Sequence, residues 1–304
     1  MFSMNGWQRY PRFTAVFQAL FVTFLWSTSW VLIKIGLVDI PALTFAGLRY
    51  GLAFLCLLPF FWRSSGWSEA RQFSRNTWLN LIVLGLVFYA LTQGAQFVGL
   101  AYLPAVTVNV MLGFTSVIVA LLGLVLLAER PSRWQWLGMV VSIMGLLLYF
   151  YPVQIPAAQM IGFVAVAVGV LANAGSALLG RFLNRLGQIR PLTITTISMG
   201  VGAAVLLTVG LLTQGWPRLN WQSWAIIVWL AVVNTAFAFT LWNVTLRTLS
   251  AMESSIINNT MGIQIPILAV IFLNETLTGR EVIGMVVAIV GVLVVQLGRS
   301  RSSS

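Results

Sequence analysis

The chain has 304 residues, of which 59% are hydrophobic and only 8% are charged. A soluble domain carries about a quarter charged residues, so composition excludes a soluble fold of this length. The net charge of +11 comes from basic residues scattered between long apolar runs, which excludes a nucleic-acid-binding face. Histidine is absent and Cys56 is the single cysteine, so an intrachain disulfide and the usual zinc sites are excluded.

The first apolar run, Phe13–Ile33, follows Arg9 and Arg12. It is too long for a signal-peptide core and lacks a small-x-small cleavage site, so it is interpreted as a membrane span. A helix needs about 20 apolar residues to cross a bilayer. Nine further runs of roughly that length follow: Pro41–Phe61, Trp78–Leu100, Ala105–Leu127, Trp134–Tyr151, Met160–Leu179, Pro191–Leu212, Trp224–Leu246, Ala251–Leu273 and Val282–Leu297. The sequence therefore predicts an all-α polytopic membrane protein with ten transmembrane helices and no soluble domain.

Lysine and arginine residues indicate the orientation of these helices, because cytoplasmic loops carry an excess of both. With a cytoplasmic N-terminus, three basic residues fall outside: Lys34, Arg218 and Arg280. Arg49 lies within a span, and the other thirteen fall inside: Arg9, Arg12, Arg63, Arg71, Arg75, Arg130, Arg133, Arg181, Arg185, Arg190, Arg247, Arg299 and Arg301. The predicted location is a bacterial inner membrane, with both termini in the cytoplasm.

The second half of the chain repeats the first. Leu100–Tyr151 aligns without a gap to Leu246–Leu297, and both copies contain Gly-Met-Val-Val, at Gly138 and at Gly284. Each copy also has a helix-start box at the same point, Ser132 with Gln135 and Thr278 with Glu281. The predicted repeats are residues 1–151 and 152–304, forming one transport unit. Because five spans is an odd number, the second copy must be inverted, as is typical of transporters; the alternative is a duplication that only built a stable bundle.

Three segments resemble the ten-helix EamA branch of the drug/metabolite transporter superfamily, and within it the bacterial aromatic-amino-acid exporters. They are Leu48–Ala53, Leu100–Ala105 running on to Ala128–Pro131, and Pro266 to Glu275 followed by Gly284 and Gly291. The resemblance implies two inverted five-helix repeats around a central chamber, and transport of a small metabolite. The first copy departs from the family pattern, because Ala120 stands where the second copy has Pro266. This departure argues against symmetric bending of the two halves.

Polar side chains recur inside the predicted spans, where each is costly without a partner. In the third span Tyr89, Gln93 and Gln96 follow one helical face at i, i+4 and i+7. Counted at about 1.5 Å per residue, polar groups of other spans reach a similar depth. The predicted substrate-binding residues are Trp26, Tyr89, Gln93, Asn173, Asn234, Asn258 and Asn259.

Neutral amides, a phenol and an indole suit a zwitterionic ligand, because amides bind ammonium and carboxylate groups while rings cover an apolar side chain. The alternative is hydrogen bonding that holds the helices together. Pro266 leaves the carbonyl of Gly262 without its helical donor, so these two residues are predicted to form a gate or a passive kink. No cofactor, metal or nucleic acid is expected; the partners are amino acids and the lipid bilayer, with the choice of monomer or oligomer open.

Charged residues in or near the spans have structural explanations. Arg49 either attracts a carboxylate or pairs with backbone carbonyls of a neighbouring helix. Glu253 completes a capping box with Ser250, although a proton-coupling role is the alternative. Glu129 and Glu275 end helices. The glycines spaced by seven in the fifth and tenth spans favour close packing within the chain over a dimer interface.

The predicted function is secondary export of amino acids, including aromatic ones, with broad specificity. A multidrug or cation exporter is the alternative, but Phe13–Ile33 contains no acid for proton exchange. An intramembrane enzyme lacks its residues, since histidine is absent and Asp39 is the only aspartate. No nucleotide-binding motif is found. A non-transporting structural protein remains the least favoured alternative.

Overall fold

The computed structural model of the chain describes residues 11–127, 132–152, 156–185, 189–249 and 251–300. Within these ranges all regular structure is helical, and ten helices are long and apolar enough to cross a membrane. The prediction of ten spans is confirmed. Glu129 and Ser250 lie outside the described residues, as do both chain ends.

Six of the ten spans are continuous α-helices. They are the first, second, fifth, sixth, seventh and tenth spans, at Pro11–Gly36, Ala42–Arg63, Arg133–Phe150, Met160–Arg185, Pro191–Gln214 and Gly279–Ser300. A short helix, Gly66–Ala70, follows the second span, and a single 3₁₀ turn, Ala157–Gln159, precedes the sixth.

The other four spans are interrupted, and they form two pairs related by the duplication. The third and eighth contain π-helical segments, in which hydrogen bonds span five residues: Arg75–Leu84, Gly85–Gln93 and Gly94–Tyr102 in the third, and Trp221–Ala231, Val232–Phe237 and Ala238–Thr245 in the eighth. The fourth and ninth are broken in two, at Ala105–Gly113 with Thr115–Leu127, and at Ala251–Asn259 with Met261–Leu273. A π segment inside an α-helix is often found at a functional site.

Both predicted helix-start boxes are present. At the fifth span the Ser132 side chain accepts the amide of Gln135, whose side chain accepts the amide of Ser132. At the tenth span the same exchange joins Thr278 and Glu281. These boxes satisfy backbone donors that would otherwise be unpaired at the helix start.

The fifth and tenth spans pack along their glycine faces, at a distance that leaves no room for side chains. A methyl group on Gly138 would stand 2.6 Å from the backbone nitrogen of Val295 and 2.7 Å from the carbonyl oxygen of Gly291. A methyl group on Gly284 would stand 2.5 Å from the backbone nitrogen of Tyr149. These glycines therefore allow close packing of two helices within the chain, as their spacing predicts.

Most helix contacts join one copy to the other, in pairs that the duplication relates. The first span packs against the eighth and ninth, and the sixth packs against the third and fourth. The second packs against the seventh and eighth, and the seventh also packs against the third. The two copies are thus interleaved around a shared interior.

Candidate functional site

The breaks in the fourth and ninth spans have the same geometry. The amide of Phe114 donates to the carbonyl of Met111 at 3.1 Å, and the amide of Thr260 donates to that of Ile257 at 3.0 Å. Both bonds span three residues, so each helix tightens by part of a turn at equivalent positions of the two copies. The two copies are therefore interrupted at equivalent positions although only the second has a proline: Pro266 lies beyond the break in the ninth span, and Phe114 breaks its helix without a proline. Unequal bending of the two halves stays a prediction.

Pro266 is buried inside the second half of the ninth span, where it leaves the carbonyl of Gly262 without a helical donor. The side chain of Asn109, in the fourth span, donates from Nδ2 to this carbonyl oxygen at 3.3 Å. The carbonyl that Pro266 is predicted to leave unpaired therefore accepts a hydrogen bond from the other copy. The contact joins the two broken helices at the level of their breaks.

A cavity of about 180 Å³ lies beside this contact. It is lined by the fourth and fifth spans of the first copy, the ninth and tenth of the second, and Trp30 of the first span. Equivalent positions of the two copies face it, including Ser142 with Ala288 and Leu112 with Asn258. No charged side chain of the described residues lines it. Trp30 is buried at this place.

Three of the predicted residues line this cavity: Asn258, Asn259 and Gly262. Asn259 donates from Nδ2 to Oε1 of Gln296 at 2.5 Å, and Gln296 donates from Nε2 to the hydroxyl of Ser116 at 3.1 Å. This network ties the ninth and tenth spans to the fourth. Asn258 is exposed to the space around it.

Tyr89 and Gln93 lie in a second polar cluster, in the π segment of the third span. The hydroxyl of Tyr50 donates to Oε1 of Gln93 at 2.7 Å, and the rings of Tyr50 and Tyr89 meet edge to face at 5.5 Å. The neighbouring Arg49 is buried, and its Nε donates to the hydroxyl of Thr235 at 3.2 Å, in the π segment of the eighth span. Adjacent residues of the second span thus hold the π segments of both copies.

Arg49 forms no ion pair with any carboxylate of the described residues. Its partners are the Thr235 hydroxyl and the Tyr50 ring, which lies 5.2 Å from the guanidinium carbon. The pairing with backbone carbonyls considered from the sequence is not seen among these contacts, since the hydroxyl of Thr235 takes that place. Attraction of a carboxylate stays a prediction.

The remaining predicted residues are at helix interfaces. Trp26 packs against Phe239 and Trp242, with ring centroids 5.3 and 5.2 Å away, and its indole nitrogen is buried without a partner. Asn234 is fully buried and donates to the carbonyl of Leu25 and to the hydroxyl of Thr28. Both contacts lie between the first and eighth spans.

Asn173, in the sixth span, donates to the hydroxyl of Thr115 at 3.3 Å, next to the break in the fourth span. Five of the predicted binding residues do not line the 180 Å³ cavity: Trp26, Tyr89, Gln93, Asn173 and Asn234. Their part in substrate binding stays a prediction.

Charged groups secure the two ends of the bundle. Where the first span begins, Arg12 donates from Nε to Oε1 of Glu253 at 3.0 Å, which joins the first and ninth spans. At the opposite end, the carboxylate of Glu275 accepts the amides of Ala105 and Val106 at 2.6 and 3.0 Å, the first residues of the fourth span. No cluster of metal-ligating side chains is found among the described residues.

A larger groove of about 670 Å³ lies between the second, third and seventh spans. Its lining is apolar and aromatic, including Trp62, Trp67 and Trp78. Thr196 also lines it, and its hydroxyl is buried without a hydrogen-bond partner. Because it offers so few polar groups, this groove suits hydrocarbon better than a polar metabolite.

Sequence reasoning missed Asn109, Ser142 and Gln296. Asn109 is a lone amide in an otherwise apolar stretch, and Ser142 is a single small residue beside the glycine face. The one available signal was for Asn109: a released carbonyl at Gly262 demands a donor. The sequence does not indicate which helix supplies that donor.

An all-helical bundle with a cavity between two inverted repeats is typical of membrane transporters. The chain belongs to the EamA-like transporter family, whose model matches it twice, at residues 13–151 and 160–297.

Several relatives match along most of the chain. It is 25% identical to the uncharacterized transporter YvbV of Bacillus subtilis, over 94% of this chain and 92% of that protein. It is 26% identical to the uncharacterized transporter YoaV of the same organism, over 89% and 92%. Protein PecM of Dickeya dadantii is 28% identical, over 72% and 74%. A solved crystal structure superposes with a TM-score of 0.65 over 93% of this chain and 98% of its own, at 18% identity, and shares the fold.

Proposed function

We propose that this chain is a secondary transporter that exports amino acids, including aromatic ones, by alternating access across a bacterial inner membrane. The observation that carries the proposal is the cavity between the repeats. It has amide and hydroxyl groups and an indole, and none of its described lining residues is charged. Neutral hydrogen-bonding groups beside a ring suit a zwitterion with an apolar side chain.

The size of the cavity supports a small substrate. About 180 Å³ is below the roughly 300–1,000 Å³ of pockets for drug-sized ligands. A multidrug exporter needs more room, and a cation exporter needs an acid at the site. Neither requirement is met by the described lining residues, so a small metabolite is favoured over both.

Broad specificity follows from this lining. A hydrophobic pocket separates substrates that differ by one methylene by only about 1–3 kcal/mol. We therefore expect recognition of the shared amino-acid backbone and tolerance of the side chain. The proposal also keeps the predicted binding residues that lie outside this cavity, which a substrate contacts when the helices move: Trp26, Tyr89, Gln93, Asn173 and Asn234.

The test is uptake of labelled phenylalanine and threonine into liposomes that hold the purified protein alone, with empty liposomes as the control. Uptake of both, without ATP, is the expected result. Absence of any amino-acid flux from active, folded protein would refute the proposed substrate class.

Orientation is part of the same proposal, and it rests on the distribution of lysine and arginine. A reporter that is active only in the periplasm should stay silent when fused to Ser304. Activity there would place the C-terminus outside and reverse the proposed topology.

A further inference from the structure

The 670 Å³ groove between the second, third and seventh spans extends about one leaflet into the membrane. Its lining on the second span runs from Phe54 to Trp62, and its lining on the seventh runs from Thr196 to Ala204. Eight residues of helix rise about 12 Å. The hydrocarbon core of a bilayer is about 30 Å thick, so the groove has nearly the depth of one acyl chain in one leaflet.

The end of the groove near the membrane surface is aromatic. Trp62 and Trp67 are exposed there, and Trp78 lines it one turn after the third span begins. Tryptophan is enriched where the hydrocarbon meets the headgroups. Deeper in the groove, Phe54 and Leu58 supply an apolar wall. The groove is therefore lined for a molecule with a polar end at the surface and a hydrocarbon chain below it.

Three exposed arginines lie at the same end: Arg63, Arg71 and Arg75. None of them forms an ion pair with a described carboxylate. The guanidinium carbon of Arg71 lies 5.8 Å from the centroid of the Trp67 ring, which lines the groove. Arg75 precedes Trp78 by three residues, so the two share a helix face. Positive charge is thus held beside two of the tryptophans.

The one acid of this loop has other partners. Glu69 is the only acidic residue in the sequence between Asp39 and Glu129. Its Oε2 lies 3.2 Å from Nε of Arg190 and accepts the hydroxyl of Thr193 at 2.6 Å. Glu69 therefore joins the short helix to the start of the seventh span and leaves the three arginines without a carboxylate on their own loop.

We propose that the groove binds one anionic phospholipid of the cytoplasmic leaflet. Its acyl chain lies between the three spans, and its phosphate lies beside Arg71 and Arg75. Arginine binds phosphate well because its planar guanidinium can donate two parallel hydrogen bonds. A zwitterionic lipid has the same chains but brings its own cation, so the arginines favour a lipid with net negative charge. The proposal uses the proposed orientation and does not depend on the transported substrate.

The duplication supplies a matched control. The loop between the seventh and eighth spans is the counterpart of the loop between the second and third, and lies at the opposite end of the bundle. Residues 215–220 of that loop include a tryptophan, Trp216, but Arg218 is their only basic residue. Selectivity for lipid charge is therefore expected to depend on Arg71 and Arg75 and not on Arg218.

The experiment is native mass spectrometry of the purified full chain in detergent, with dioleoyl phosphatidylglycerol and dioleoyl phosphatidylcholine at equal concentrations. One phosphatidylglycerol should bind first. A basic residue near anionic lipid changes affinity by about fivefold, so Arg71→Gln and Arg75→Gln should each weaken that binding by about this factor. Arg218→Gln should leave it unchanged. Equal binding of the two lipids, or an equal loss in Arg218→Gln, would overturn the proposal.

A second pair of variants tests the place of the acyl chain. Ala204 is an exposed residue of the groove lining, so Ala204→Phe fills the groove and should abolish binding of the first phosphatidylglycerol. Ala101→Phe is the control, because Ala101 is equally exposed and lines neither this groove nor the 180 Å³ cavity. Unchanged lipid binding in Ala204→Phe would show that the chain lies elsewhere.

A third measurement separates a lipid from a free anion. Thermal unfolding of the unmodified protein is followed with phosphatidylglycerol and with inorganic phosphate. Only the lipid should raise the unfolding temperature, because phosphate alone leaves the groove empty. Equal stabilisation by inorganic phosphate would replace the lipid site by a surface anion site and refute the proposal. The arginine variants change exposed side chains only, so they keep the test valid if Ala204→Phe fails to fold.

Discussion

The fifth and tenth spans differ from the fourth and ninth, although all four surround one cavity. The fifth and tenth are continuous helices whose backbones nearly touch at Gly138 and Gly145 and at their counterparts in the other copy. The fourth and ninth are broken at Phe114 and Thr260. The same duplication has therefore produced one tightly packed pair and one interrupted pair.

The difference indicates that the two pairs of helices have different roles, one holding the bundle together and the other changing shape. Backbones in contact allow little relative displacement, because any shift produces a clash. An interrupted helix has fewer regular hydrogen bonds at the break and bends there more readily. We infer that the fifth and tenth spans hold the two copies together, while the fourth and ninth change shape around the cavity.

The largest effect is expected at the glycine crossing. Gly145→Ala places a methyl group 2.7 Å from Cα of Ala288 and should cost about 3 kcal/mol of unfolding free energy by overpacking. Gly51→Ala is the control, because a methyl group there meets no atom within 4 Å. Thermal unfolding in detergent compares the two, and equal stability would mean that the crossing is not rigid.

The next effect concerns the contact between the broken helices. Asn109→Leu leaves the carbonyl of Gly262 unpaired and should cost about 2 kcal/mol. In a Pro266→Ala background the loss should be smaller, because alanine restores the helical donor to that carbonyl. Unfolding of the unmodified protein, the two single variants and the double variant gives a double-mutant cycle. Additive losses would show that the bond from Asn109 to the Gly262 carbonyl contributes nothing to the unfolding free energy.

A smaller effect is expected where Glu275 caps the start of the fourth span. Glu275→Gln replaces one acceptor by a donor facing the amide of Val106 and should cost about 1 kcal/mol. Glu281→Gln is the matched control, because the equivalent box in the first copy already contains Gln135. If hydrogen exchange at the Ala105 and Val106 amides is unchanged in Glu275→Gln, the cap is unimportant.

The smallest effect is expected for Glu253. Its partner Arg12 has a side chain that is 76% exposed, and exposed ion pairs contribute at most about 1 kcal/mol. Glu253→Gln should therefore keep most of the transport activity. If flux is lost while folded protein remains in the membrane, the Glu253 carboxylate takes part in transport and the ion pair lies at a moving contact.

The ten spans could be predicted because a bilayer permits few structures. Every backbone polar group inside it needs an internal partner, so long apolar runs must be helices. The spacing of Gly138 and Gly145, repeated in the second copy, likewise predicted close packing, since only small residues permit it.

The breaks and most of the cavity could not be predicted. Phe114 interrupts its helix without a proline, and its counterpart Thr260 does so six positions before Pro266, so packing between the copies must decide where they bend. Depth within the membrane was also an incomplete guide. Tyr89 and Asn258 reach similar depths, yet only Asn258 lines the cavity, because depth does not give the direction a helix face points.

The unequal pair Ser142 and Ala288 has a consequence for the resting state of a carrier of the proposed kind. If both copies were identical, the inward-open and outward-open forms would be related by a two-fold rotation and would have equal free energy. A hydroxyl on one side and a methyl on the other remove that degeneracy, so the empty protein favours one orientation. Ligand gradients would still set the direction of net flux, but such differences between the copies decide which side of the membrane the empty site faces.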